Sequence, residues 1–218
     1  MSLETWLADT LGAPPIDVDR YRRALTHSSW GNEDYERLEF LGDRVLGLAM
    51  ATWLYETFPG DPEGRLSRRL NALVTGEVCA EVGRELGVPK QLRLGKQARD
   101  DGAIDSDNVL GDAVEALIGA LYLEAGLNAA AAFIRRAWGD RVARMDEAPK
   151  HPKSALQEWS ALHGRKPPVY TLVTRIGPHH APRFLVAASV GDAHAQAEGS
   201  TKQEAETAAA GKLMEMLK

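Results

Sequence analysis

One octapeptide, Glu36-Arg37-Leu38-Glu39-Phe40-Leu41-Gly42-Asp43, restricts what this chain can fold into more than any other stretch. Glu36, Glu39 and Asp43 stand at i, i+3 and i+7, which on an α-helix places them within an arc of about 60°. Leu38, Leu41, Val45 and Leu48 continue an apolar pattern beside them, with Leu46 and Met50 close by. An acidic stripe therefore runs beside, or inside, a face that the fold must bury. Carboxylates placed there cost free energy unless a donor or a cation compensates them. A second segment supplies a counterpart: in Asp107–Ala120, Asp112 and Glu115 are again three apart. Two such helices face to face would bring four or five carboxylates together.

The usual meaning of Glu-x-x-Glu on a helix is a solvated charged face. Here the acids interrupt two of the most apolar helices, and Arg37 and Arg44 are too few to neutralise five of them. Hard oxygen ligands without Cys or His select Mg²⁺ or Mn²⁺ over zinc. Such ions suit phosphodiester chemistry, because they activate water and offset charge developing at phosphorus. No EF-hand loop occurs. The spacing points to a divalent-metal phosphoryl enzyme and leaves its substrate unnamed.

The rest of the chain divides in two. Helices are expected near residues 3–11, 17–25, 34–57, 63–87, 106–125 and 128–144, with stops at Pro14-Pro15, Pro59-Gly60, Gly87 and Gly126. No strand pattern appears before residue 147. Residues 148–153 are polar, hold two prolines, and read as a linker. A helix from Ser154 to His163 follows, then strands 169–174, 184–190 and 193–198, then an alanine-rich helix from Thr201 to Leu217 opened by the capping box Thr201-x-x-Glu204. The predicted fold is an all-α domain over 1–147 followed by a small α+β domain over 154–218, α-β-β-β-α with an antiparallel three-stranded sheet.

Charge divides the same way. The chain carries 26 Lys/Arg and 31 Asp/Glu; residues 150–218 hold 9 and 6 of them and five of the six histidines, leaving the first part strongly acidic. This suggests metal chemistry in one part and polyanion binding in the other. The single cysteine, Cys79, excludes an intramolecular disulfide, fits a reducing compartment, and reads as a small buried hydrophobe. No basic-then-apolar leader opens the sequence, and no apolar run reaches the ~18–20 residues of a membrane span. A cytoplasmic protein that does not engage membrane is expected.

Glu36–Asp43 resembles the signature of ribonuclease III, the double-strand-specific endoribonuclease. So do Leu25-Thr26-His27-Ser28-Ser29, Gly64-Arg65-Leu66-Ser67 and Gly111–Ala120, in the family's order. His151–Leu217 resembles a double-stranded-RNA-binding domain. The resemblance implies that Glu39, Asp43, Asp112 and Glu115 bind Mg²⁺, with Mn²⁺ able to substitute, and that Asp43 and Glu115 are the catalytic residues. It makes Glu36, and less directly Glu63, supporting acids. It implies a homodimer whose signature helices meet at the two-fold axis, with Phe40 available to that interface. It implies products with 5′-phosphate and 3′-hydroxyl ends and two-nucleotide 3′ overhangs, in the processing of rRNA precursors and mRNA. His27 reads as a buried structural histidine. The stretch Arg68-Arg69-Leu70-Asn71 departs from the family pattern and leaves the role of those arginines open.

In the second domain, Ser154, Gln157 and Glu158 share the polar side of the first helix, and such groups suit the 2′-hydroxyls of the RNA minor groove. Gly177–Phe184 resembles the family's loop that places His180 in the next minor groove. Lys202 opens the last helix, where charge and dipole favour phosphate. The family has a second basic residue there; this chain has Gln203, then Glu204. Weaker phosphate binding is expected. The alternative from another class is a non-catalytic double-stranded-RNA-binding regulator with the same fold.

Overall fold

Caps and glycines set the helices of the first unit. The Ser2 hydroxyl accepts from the Thr5 amide at 3.3 Å and opens α1 (Leu3–Leu11), which closes at Gly12 with φ +81°. Asp17 caps α2 (Val18–Ala24) by accepting from the Arg20 amide at 3.1 Å. The long α3 (Glu36–Thr57) ends just before Pro59-Gly60. This computed structural model describes residues 1–31, 33–145, 152–176 and 182–217.

The single helix expected over 63–87 is two, α4 (Glu63–Leu73) and α5 (Gly76–Leu86). The apolar period runs through both, but Thr75 interrupts the backbone and caps α5, its hydroxyl accepting from the Val78 amide at 3.3 Å. After the short α6 (Lys96–Asp100), α7 (Asp107–Trp138) carries a break at Gly126, whose φ of +77° and ψ of −178° are not helical. The acidic helix thus ends at the expected glycine. The segment beyond it closes at Trp138 rather than near 144, where Gly139 turns the chain. Among the described residues this unit has no strand, only one parallel bridge between Thr26 and Arg93.

Contrary to the expectation that no apolar run is long enough, α7 has the length and composition to cross a membrane. Its apolar residues are instead the centre of the core: Leu110, Val114, Leu117 and Ile118 are fully buried. Around them pack Leu46, Met50 and Leu54 of α3 and Val82 of α5.

Arg69 is a charged member of this core, only 3% exposed. Its guanidinium bonds Asp61 at 2.8 Å and the Met145 carbonyl, and lies 3.7 Å from the Phe58 ring centroid. That pairing holds the Asp61 carboxyl below the usual range and gives one of the open arginines a structural role.

The chain separates into two compact units, Met1–Pro149 and Lys150–Lys218. The second starts with α8 (Pro152–Leu162), so the helix takes in the last two residues of the expected linker; residues 146–151 lie outside those described. Strands β1 (Val169–Ile176), β2 (Arg183–Val190) and β3 (Ala193–Gly199) form an antiparallel sheet in that order, with a bulge between Leu172 and Thr174. The capping box of α9 (Lys202–Leu217) is present: the Thr201 hydroxyl accepts from the Glu204 amide at 3.1 Å, and the Glu204 carboxylate accepts from the Ser200 amide at 2.8 Å. Ala209, Ala210 and Leu213 lay α9 on Ala188, Val190, Ala195 and Ala197, with Leu156 of α8 closing the core.

Candidate active site: a carboxylate seam between α3 and α7

Two glycines bring the acids together. A Cβ on Gly42 would stand 1.7 Å from the Glu115 carbonyl oxygen, and one on Gly119 would stand 2.3 Å from that of Leu38. No larger residue fits at either position, so α3 and α7 cross backbone to backbone there. Glu39 and Asp43 lie on one side of this crossing, Asp112 and Glu115 on the other, as the spacing predicts. All four are half-buried rather than fully enclosed.

Each acid feels the others. Burial first, then the charges of Asp43, Asp112 and Glu39, push Glu115 up to about 7. Burial, with Asp112, Asp43 and Glu36, also raises Glu39. Asp112 is raised by burial, against the pull of a hydrogen bond from Tyr35 and the charge of His27. Asp43 has a cation at hand, since Arg44 donates to it. The donor set is all oxygen and carries more negative charge than its surroundings neutralise, which fits a hard divalent cation. Among the described residues, no three Asp, Glu, His or Cys side chains already stand in a ligating arrangement.

Three neighbours of the seam were not visible as such in the sequence. The Tyr35 hydroxyl donates to Asp112 Oδ2 at 3.3 Å, and Tyr35 is 4% exposed. The Cys79 thiol, on α5, points at Glu115 Oε1 from 3.9 Å; burial and that carboxylate push it up, so it stays a thiol. Cys79 is thus buried as expected, with a polar contact added. His27 is only half-buried, its Nδ1 2.7 Å from Ser29 Oγ and its ring edge-to-face with Tyr35 at 5.8 Å. The interleaved letters Tyr35 and Cys79 gave no signal, because each partner sits on a different helix.

The supporting acids separate. Glu36 is exposed, yet close enough for its charge to raise Glu39 and Asp112. Glu63 is not brought to the seam within this chain. It accepts from the Ser67 hydroxyl at 2.7 Å and lines a cavity with Leu54 and Tyr55, about 20 Å along α3 from Glu39. In the second unit Ser154, Gln157 and Glu158 are exposed along one side of α8. Lys202 is exposed 3.9 Å from Glu206, which also binds Lys153 at 2.7 Å. His180 lies outside the described residues.

Comparison with known proteins assigns both units. A ribonuclease-III-like family model matches residues 18–140 and a double-stranded RNA binding motif matches 152–217. Ribonuclease 3 of Zymomonas mobilis is 58% identical over 98% of this chain and 87% of its own length. That of Dinoroseobacter shibae is 48% identical over 88% and 86%. The nuclease domain of Campylobacter jejuni ribonuclease III superposes with a TM-score of 0.60 at 34% identity, covering 63% of this chain and 94% of that one. A second structure of that domain, with a TM-score of 0.59 and 34% identity over 61% of this chain and 93% of its own, describes structural flexibility in its region involved in dimer formation. The chain belongs to the ribonuclease III family and is an endoribonuclease with a double-stranded-RNA-binding domain.

Proposed function

We propose that the chain hydrolyses phosphodiester bonds of double-stranded RNA with Mg²⁺, or Mn²⁺ in its place, and leaves 5′-phosphate and 3′-hydroxyl ends with 3′ overhangs. The observation that carries this reading is the seam itself, four mutually coupled carboxylates on one crossing of two core helices. Glu39, Asp43, Asp112 and Glu115 hold the cation, and Asp43 and Glu115 act on the scissile phosphate. A divalent ion bound there supplies an activated water and stabilises charge on the leaving oxygen. The protein's own part is to hold the carboxylates, with Tyr35 bonded to Asp112 and Arg44 to Asp43. Glu115, raised to about 7, keeps a proton over part of the neutral range until a cation offsets its neighbours.

The nuclease chemistry belongs to residues 1–147, and residues 154–218 bind the duplex through Ser154, Gln157, Glu158, His180 and Lys202. Pairing as a homodimer is supported by exposed apolar side chains on α3 and α7: Phe40 is 66% exposed and lines one surface cavity with Leu41 and Leu123, and Leu48 of α3 is exposed as well. Such a surface fits a two-fold contact, in which each subunit cuts one strand. The setting is the cytoplasm, without membrane, and the substrates are rRNA precursors and mRNA.

The test is end-mapped cleavage of a perfect RNA duplex, the matching single strand and the matching DNA duplex, each with Mg²⁺ and with chelator. Cleavage of the RNA duplex alone, dependent on Mg²⁺, is expected. Duplex binding without cleavage by the intact chain would instead establish the regulator reading.

A further inference from the structure

Tyr35 touches both halves of the seam, and we propose that it is a positioning residue of the site: its hydroxyl fixes the Asp112 carboxylate while its backbone fixes the turn that carries Glu39. The inference rests on the reading of Asp112 as a cation ligand. Three contacts carry it. The hydroxyl meets Asp112 Oδ2 at 3.3 Å, across the gap between α3 and α7. The Tyr35 carbonyl accepts from the amides of Leu38 and Glu39 at 2.8 and 2.9 Å, which closes the first turn of α3. The Tyr35 amide donates to the Thr26 carbonyl at 2.9 Å, tying that turn to the segment that bears His27.

The ring is held as firmly as the backbone. It is almost wholly buried and meets the His27 ring edge-on, while His27 is itself bonded to Ser29 Oγ at 2.7 Å. A phenylalanine would fill the same space, so packing alone does not call for the hydroxyl. Among the described residues, the hydroxyl's hydrogen-bond partner is the Asp112 carboxylate. A donor on one oxygen restricts rotation of the Asp112 side chain and leaves the second oxygen for a cation. Partners of ligating side chains that act in this way commonly alter metal affinity by about 10–100-fold when removed.

The experiment measures binding of Mn²⁺ alone to the full chain by calorimetry, for the wild type, Tyr35→Phe, Asp112→Asn and the double variant. Thermal unfolding without metal is recorded beside it. Tyr35→Phe should unfold near the wild-type midpoint yet bind Mn²⁺ about tenfold more weakly. Its cleavage of duplex RNA should shift to higher metal concentration and recover at saturation. In the Asp112→Asn background the same change should have little further effect. Unchanged Mn²⁺ affinity in Tyr35→Phe, with or without a lowered midpoint, would show a purely structural tyrosine and overturn the proposal. If Asp112→Asn alone leaves affinity intact, the ligand reading of Asp112 fails and takes this inference with it. Weakening by Asp112→Asn but not by Tyr35→Phe overturns the role of Tyr35 only.

Discussion

At the scale of single residues, Glu115 is where the cost of the seam is concentrated. Its folded carboxyl sits near 7, above the value of an exposed glutamate, so its ionisation opposes folding. The stability it contributes is complete below the ordinary glutamate range and is lost as pH rises through about 7. Glu39 and Asp112 are shifted in the same direction. With chelator present, the thermal midpoint should therefore fall between about pH 5 and pH 8, and the fall should be shallower in Glu115→Gln. Parallel profiles for the two proteins would contradict this electrostatic picture. The four acids were legible because helix periodicity fixes which letters share a side. Tyr35 and Cys79 were not, because a hydroxyl 77 residues from Asp112 or a thiol on α5 acquires its partner only when three helices meet.

At the scale of elements, the crossing of α3 and α7 decides whether there is a site at all. Gly42 and Gly119 were plain in the sequence, but nothing local distinguishes a glycine that admits a neighbouring backbone from one that ends a helix. Gly42→Ala puts a methyl group into the Glu115 carbonyl and must part the helices. The expected loss is about 3 kcal/mol in urea unfolding, with cleavage falling more steeply than stability. A second element-level device is Arg69, which ties α4 to Asp61 and to Met145. Arg69→Ala leaves the Asp61 carboxylate with only its exposed Arg65 contact and should destabilise the protein more than the loss of Arg65 does, as read by urea unfolding. Arg65→Ala removes an exposed contact to the same carboxylate and should cost less than about 1 kcal/mol in the same measurement. The joint at Thr75 was missed for a related reason: the apolar period is continuous across it, and only the cap shows where one helix yields to another.

At the scale of the molecule, the division into an acidic helical unit and an α-β-β-β-α unit was readable from charge, prolines and the change of period near residue 150. The sheet and its capping box followed from β-branched runs and Thr201-x-x-Glu204. What the sequence could not show is how far the basic groups of the second unit are already engaged. Glu206 sits between Lys153 and Lys202, and Glu204 takes the Ser200 and Thr201 amides just ahead of α9. Duplex affinity should accordingly be modest. Gln203→Lys should raise it, and Lys202→Ala should lower it and reduce the slope of log affinity against log salt by about one, as read by titrations at several salt concentrations. The central claim, that the seam cuts duplex RNA, is tested most directly by one paired measurement on Glu115→Gln: cleavage of a perfect RNA duplex with saturating Mg²⁺, and binding of that duplex by the same protein. The seam account predicts binding equal to wild type with cleavage reduced by about a hundredfold or more. Equal cleavage by Glu115→Gln and wild type would contradict it.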